Sequence, residues 1–196
     1  MATVGRPRSF DKEEALKKAM HVFWEKGYEG TSMADLIESI GMKAPSLYAA
    51  FGNKDAIFKE VVQKYLPIVV NGQLATLNNT SDIVEAVENT LKECVRLFTS
   101  PDNPHTCLIM TAAINASPEH QDHVVSLRAM REDYRNAWVQ RFERAEQERQ
   151  LTGQLSPQQL ADFYVTLIQG MSLRAKDGAN KQDLTRTAEI ALQILK

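Results

Sequence analysis

TSMADLIESIGMKAPSLYAAFGNK, residues 31–54, is the stretch on which the fold turns. Its spacing predicts a short helix, a glycine turn, a second short helix and a lysine that opens a third. Met33, Leu36, Ile37 and Ile40 recur at three- and four-residue intervals, which places them on one buried helix face. Thr31 or Ser32 supplies the N-cap, and Gly41 ends the helix where a left-handed residue costs least. Met42 plugs the corner. Pro45 falls in the first turn of the next helix, where its missing N–H goes unneeded. Two short helices about such a corner form the helix-turn-helix layout of DNA readers.

The second helix, about Ala44 to Phe51, turns Leu47 and Phe51 to the core. Its other side carries Pro45, Ser46 and Ala49, with Tyr48 on one flank and Lys43 and Ala50 on the other. Small residues there let a helix lie deep in a groove. Ser46 can bond a base edge, Ala49, Ala50 or Pro45 can touch a thymine methyl, and Tyr48 and Lys43 suit phosphate. With few hydrogen-bonding side chains on that face, shape and apolar contact are expected to carry much of the selectivity.

Net charge supports this only locally. The chain of 196 residues has 23 Lys+Arg against 25 Asp+Glu. Yet residues 39–54 hold Lys43 and Lys54 and no acid, and Gly5-Arg6-Pro7-Arg8 adds a basic arm before the first helix. Such an arm can reach a neighbouring groove.

The words GRPR, ALKKAMHVFWEKGYEGTSMADLIESIGM and APSLYAAFGNKDAIF resemble the tetracycline-repressor (TetR) family, AcrR-like, of bacterial transcriptional regulators. Gly27-Tyr28, and Leu47-Tyr48 with Phe51 three residues on, match that family's habitual pairs. By position, the resemblance implies phosphate contacts from Thr31, Tyr48 and Lys54. It also implies contacts from the corner formed by Ser32, Lys43, Ala44, Pro45 and Ser46, the last four at base edges. Alanine at both 49 and 50, where the family often has large or polar residues, departs from the pattern. The resemblance covers the first third of the chain. A weaker one runs through Thr106-Cys107-Leu108-Ile109 and from Gly170-Met171 to Ala179.

The chain is 43% hydrophobic, with seven prolines, nine glycines and few alternating β-branched runs, so an all-α fold is expected. Cys94 and Cys107 make no disulfide framework, and no apolar leader or membrane-length run stands out, which suggests the cytoplasm. The expected organisation is a DNA-binding domain over 1–54, a connecting helix over 55–80 and a regulatory and dimerisation domain over 81–196. Pro67 should kink or break the connecting helix. Ser81 should cap a helix to Phe98, Thr106 to Ala116 should be short and apolar, and Ser117-Pro118-Glu119 should open a long charged helix.

Two closing helices present apolar stripes suited to a twofold four-helix packing. Phe163, Leu167, Gly170, Met171 and Arg174 lie on the first, and Leu184, Ala188, Ala191, Ile194 and Leu195 on the second. A wholly intrachain core is the competing reading of the same stripes. A twin reader would fit a pseudopalindromic operator. A small-molecule inducer is expected among Leu91, Val95, Phe98, Cys107, Met110, Ile114, Leu127, Trp138, Phe142, Tyr164 and Ile168, with no cofactor and no metal.

His105 and Cys107 leave open a thiol- or metal-responsive variant. His120 and His123, flanked by Glu119, Gln121 and Asp122, read better as a solvated face. Trp24 and Trp138 read as core anchors, and Arg128, Arg131 and Arg135 as an exposed face paired along its own helix. No phosphate loop, H-E-x-x-H, C-x-x-C or G-x-S-x-G word favours an enzyme. A helical adaptor would not need the basic arm or the two-helix reader.

Overall fold

A computed structural model describes residues 11–151 and 153–195, which carry helices and no strand. Three helices form the amino-terminal unit: α1 (Lys12–Lys26), α2 (Met33–Ile40) and α3 (Ala44–Phe51). Asp11 caps α1 by accepting from the backbone N–H groups of Glu13 and Glu14. The inner face of α1, Ala15, Leu16, Ala19, Met20, Phe23 and Trp24, is buried against α2 and α4 (Lys54–Ile68).

The chain continues past Pro67 without a break. A π-helical turn, Val69–Leu74, joins α4 to α5 (Ala75–Asn79) as one rod, so of the kink or break expected at the proline the break does not occur. The buried positions explain why. Tyr65, Val69, Gln73 and Leu77 recur every four residues, a longer period than the α-helix supplies. A regular helix would drift this stripe off the core, and the wider turn holds it inward.

The remaining helices surround the far half of that rod. They are α6 (Ile83–Thr99), the short α7 (Leu108–Thr111), α8 (Gln121–Gln147), α9 (Pro157–Lys176) and α10 (Lys181–Ala191). Asp82, not Ser81, caps α6, by accepting from the N–H of Glu85. Only Leu108–Thr111 of the expected 106–116 segment is α-helical, and a 3-10 turn, Pro118–His120, precedes α8. Trp24 and Trp138 are both buried in one continuous core that runs from α1 to the last residues. None of the described helices is long and apolar enough to cross a membrane.

Arg131 and Arg135 of α8 do not pair along their own helix. Arg131 donates to the carbonyl of Ile109 (2.8 Å), and Arg135 reaches Asp162 on α9 (2.5 Å). Arg141, fully buried, donates to the carbonyls of Leu77, Thr80 and Ser81 (2.9–3.2 Å) and so closes the end of the rod. Arg141→Met keeps most of the volume but strands these carbonyls. It should lower unfolding free energy in urea by about 2–3 kcal/mol, and an unchanged midpoint would refute the clamp.

Candidate nucleic-acid interface

The reader is built by local bonds. Ser32 and Asp35 form a reciprocal capping box at the start of α2, and Gly41 closes it in the left-handed conformation (φ 78°). α3 begins at Lys43 with no side-chain cap and with Pro45 in its first turn. Leu47 and Phe51 are buried, whereas Pro45, Ser46, Tyr48 and Ala49 are exposed and Ala44 and Ala50 half-buried. Tyr48 is 50% exposed. Lys43 and Ser32 are also exposed, so a surface of small side chains carries one phenol and one ammonium.

Two expected contacts are turned inward. The Thr31 side chain is buried and donates to the carbonyl of Gly27 (2.7 Å). Lys54 donates to the carbonyls of Tyr28 and Thr31 (both 3.1 Å) and lies 4.1 Å over the Tyr28 ring. The ammonium thus fastens α4 to the α1–α2 corner, with one of its three N–H groups left over. Arg6 and Arg8 lie outside the described residues.

The reader is docked to the carboxy-terminal helices through a polar, aromatic seam. The Trp24 indole N–H donates to the carbonyl of Thr106 (2.8 Å), and the Tyr28 backbone N–H to that of Ala112 (2.6 Å). Gly27 permits this approach: its φ is +71°, and a Cβ there would meet the Ala112 carbonyl at 3.2 Å. Asp55 Oδ1 accepts from the Tyr28 hydroxyl and from His123 Nε2 (2.9 Å). Glu29 Oε1 accepts from the Ser117 backbone (2.7 Å) and from His120 Nδ1 (2.8 Å).

His120 and His123 are therefore no solvated face. His123 is 5% exposed, between the rings of Tyr28 and Phe58. The Tyr28 hydroxyl, then His123, hold Asp55 below the usual carboxylate range. The Ser117 N–H, then His120, lower Glu29 to about 2. Burial, then Asp55, pushes the Tyr28 phenol up.

Behind the seam, the rod and α8 enclose a cavity of about 200 Å³. Of the inducer residues expected from sequence, only Cys107 and Met110 line it. Leu91, Val95, Phe98, Leu127, Trp138, Phe142, Tyr164 and Ile168 are close-packed core, and Ile114 is exposed. The walls that sequence reasoning missed come chiefly from two elements, the π turn with Val69, Val70, Gln73 and Leu74, and α8 with Met130, Arg131, Asp133 and Tyr134. The four-residue spacing was the only signal of that turn. His105 is exposed and bonded to the Phe98 carbonyl while Cys107 is buried, so the two do not share a site. Among the described residues no group of three or more His, Cys, Asp or Glu is placed to hold a metal ion.

The closing helices divide their stripes between two uses. Met171, Leu184, Ala188, Ala191 and Leu195 are buried within the protomer, though Met171 and Leu184 floor an outer groove that Leu167, Gly170 and Arg174 also line. Phe163, Gly170, Arg174 and Ile194 are exposed, Leu167 is half-buried, and Ile190 extends the outer face.

The model of the family described as "Bacterial regulatory proteins, tetR family" matches residues 15–61. The chain is 36% identical to the HTH-type transcriptional repressor ComR of Escherichia coli (strain K12), over 97% of this chain and 91% of that protein. The chain belongs to the TetR family. It is a DNA-binding transcriptional regulator, not an enzyme. Another TetR relative, the repressor BdcR of the same strain, is 28% identical over 98% of this chain and 92% of its own length. Among solved TetR structures, a cysteine mutant of CifR complexed with 26bp double-strand operator DNA superposes with a TM-score of 0.90. It is 36% identical and covers 97% of this chain and 100% of that one.

Because the folded Glu29 titrates at about 2 rather than near 4.5, its bonds stabilise fully above the ordinary range. That contribution is lost as pH falls through the window between those values. Glu29→Gln should therefore lower Tm near neutrality and flatten the acid limb of a Tm–pH profile. Parallel acid limbs in the two proteins would refute the docking role of Glu29.

Proposed function

We propose that the chain is a homodimeric, cytoplasmic repressor of a pseudopalindromic operator, released by a small molecule bound in the cavity between the rod and α8. The observation that carries this reading is the double use of one helix. At its start the rod supports the reader, with Ile57, Phe58 and Val61 buried and Asp55 joined to Tyr28 and His123. Further along, its π turn lines the cavity. A ligand that reshapes this turn shifts the support of α3. In a dimer it thereby changes the spacing of two readers, and coupling of about 1–3 kcal/mol suffices for release.

On the operator, α3 enters the major groove with Pro45, Ser46 and Ala49 toward the bases and Ala44 and Ala50 at its edges. Tyr48, Lys43 and the remaining N–H of Lys54 meet phosphates, helped by Arg6 and Arg8. Ser32 lies at the backbone side, and Thr31 acts by holding the corner. The partner docks on the outer faces of α9 and α10, where Phe163, Leu167, Gly170, Arg174, Ile190 and Ile194 leave apolar surface beside a helix that Gly170 lets come close. Reversible ligand binding is favoured over thiol chemistry, since burial pushes the Cys107 thiol up and away from the reactive thiolate.

Gel-shift assays with genomic fragments test the reading: specific retardation is expected, and no retardation of any fragment at low salt would overturn it. Lys54→Ala should weaken binding to all duplexes and lower the salt slope by about one; an unchanged slope would place Lys54 solely in the corner. Phe163→Asp should yield monomers in sedimentation velocity and weaken operator binding severely, and a dimer that survives would move the interface elsewhere.

A further inference from the structure

Two side chains on the inner cavity wall carry unused N–H donors. Gln73 is only 3% exposed, and its side-chain oxygen accepts from the Tyr134 hydroxyl (2.9 Å). Its carboxamide N–H groups have no partner among the described residues, yet Gln73 lines the cavity. One turn from Tyr134 on the same face of α8, Arg131 also lines it. Its Nη1 serves the Ile109 carbonyl, and no carboxylate pairs with it among the described residues. Burial, then the charge of Arg128, lowers the pKa of Arg131 against the weaker opposing effect of Cys107 and Glu132.

The other walls are largely apolar, among them Leu66, Val69, Leu74, Met110, Met130 and Val165. Exposed Asp133 and Gln169 stand at the solvent rim. Two methionines give this lining some adaptability. A 150 Å³ apolar cavity takes a six-carbon ring, so 200 Å³ corresponds to about eight to ten non-hydrogen atoms.

Resting on the cavity as inducer site, we infer that its ligand is a small apolar carboxylic acid whose carboxylate bonds the N–H groups of Gln73 and Arg131. A carboxylate supplies both the missing acceptor and the missing charge. Its hydrocarbon part displaces water from the apolar walls. A neutral alcohol offers an acceptor oxygen but no charge to set against Arg131. An amine brings a second cation beside Arg131.

Calorimetric titration of the full-length protein with hexanoate, benzoate and phenylacetate, against hexanol and cyclohexylamine, tests this. The acids should bind at least tenfold more tightly than hexanol, cyclohexylamine should not bind, and the acids should release operator in a gel shift. Gln73→Leu and Arg131→Met should each weaken acid binding roughly tenfold and hexanol binding by clearly less, and a cooperative thermal transition in each variant shows that it folds. Hexanol or amine binding as tight as the acids, or acid affinity unchanged in both variants, would overturn the ligand class. In that case, operator release by hexanol would still uphold the cavity as inducer site. Failure of every probe to bind would overturn the cavity reading itself, and the class with it.

Discussion

One oxygen of Asp55 receives hydrogen bonds from the Tyr28 hydroxyl and from His123 Nε2, and through it three helices share an anchor. Tyr28 follows α1, Asp55 lies in the first turn of α4, and His123 lies in the first turn of α8. Phe58 packs against both the Tyr28 and His123 rings, and the Lys54 ammonium lies over the Tyr28 ring. Polar groups withdrawn from water must be bonded, and bonding them here ties the reader to the carboxy-terminal helices. The Trp24 and Tyr28 bonds to the 106–112 segment extend the same seam. α3 therefore takes its orientation in part from α8 and the 106–112 segment.

The rod from Lys54 to Asn79 carries that dependence inward. Both its ends are held, the first by the Asp55 anchor and the last by Arg141. Between them the π turn faces the cavity. This is where the rod departs from regular α geometry, and π turns of this kind recur at functional sites. A ligand acts on a conformational equilibrium only through different contacts in its two states. A turn with an incompletely packed face, in a helix fixed at both ends, offers such a difference.

Economy of charge marks the surfaces. The chain as a whole is nearly neutral, so long-range attraction to DNA rests on local cations rather than net charge. α3 shows solvent small residues and one phenol, which suits close approach to a groove more than dense base-edge bonding. α9 and α10 each bury one face in their own protomer and leave another apolar face outside. A single helical stripe can thus serve two interfaces, and periodicity by itself does not separate them.

The local part of the structure was legible from the chain. The bounds of α3, the inward turn of Leu47 and Phe51, and the cap at Gly41 follow from spacing and side-chain chemistry within a few residues. The family words pointed to DNA for the same reason, because a helix-turn-helix is a local unit. His120 and His123 were read as solvated because their sequence neighbours are polar. Their carboxylate partners lie 91 and 68 residues away, and no local pattern records that. Apart from exposed Ile114, the expected pocket residues do face inward, but a cavity exists where inward side chains from distant segments fail to meet. Sequence alone determined which faces turn from water and where short helices begin and end. Tertiary structure decided which buried groups pair, where packing leaves space and which way Lys54 points, since those depend on distances that only the folded chain creates.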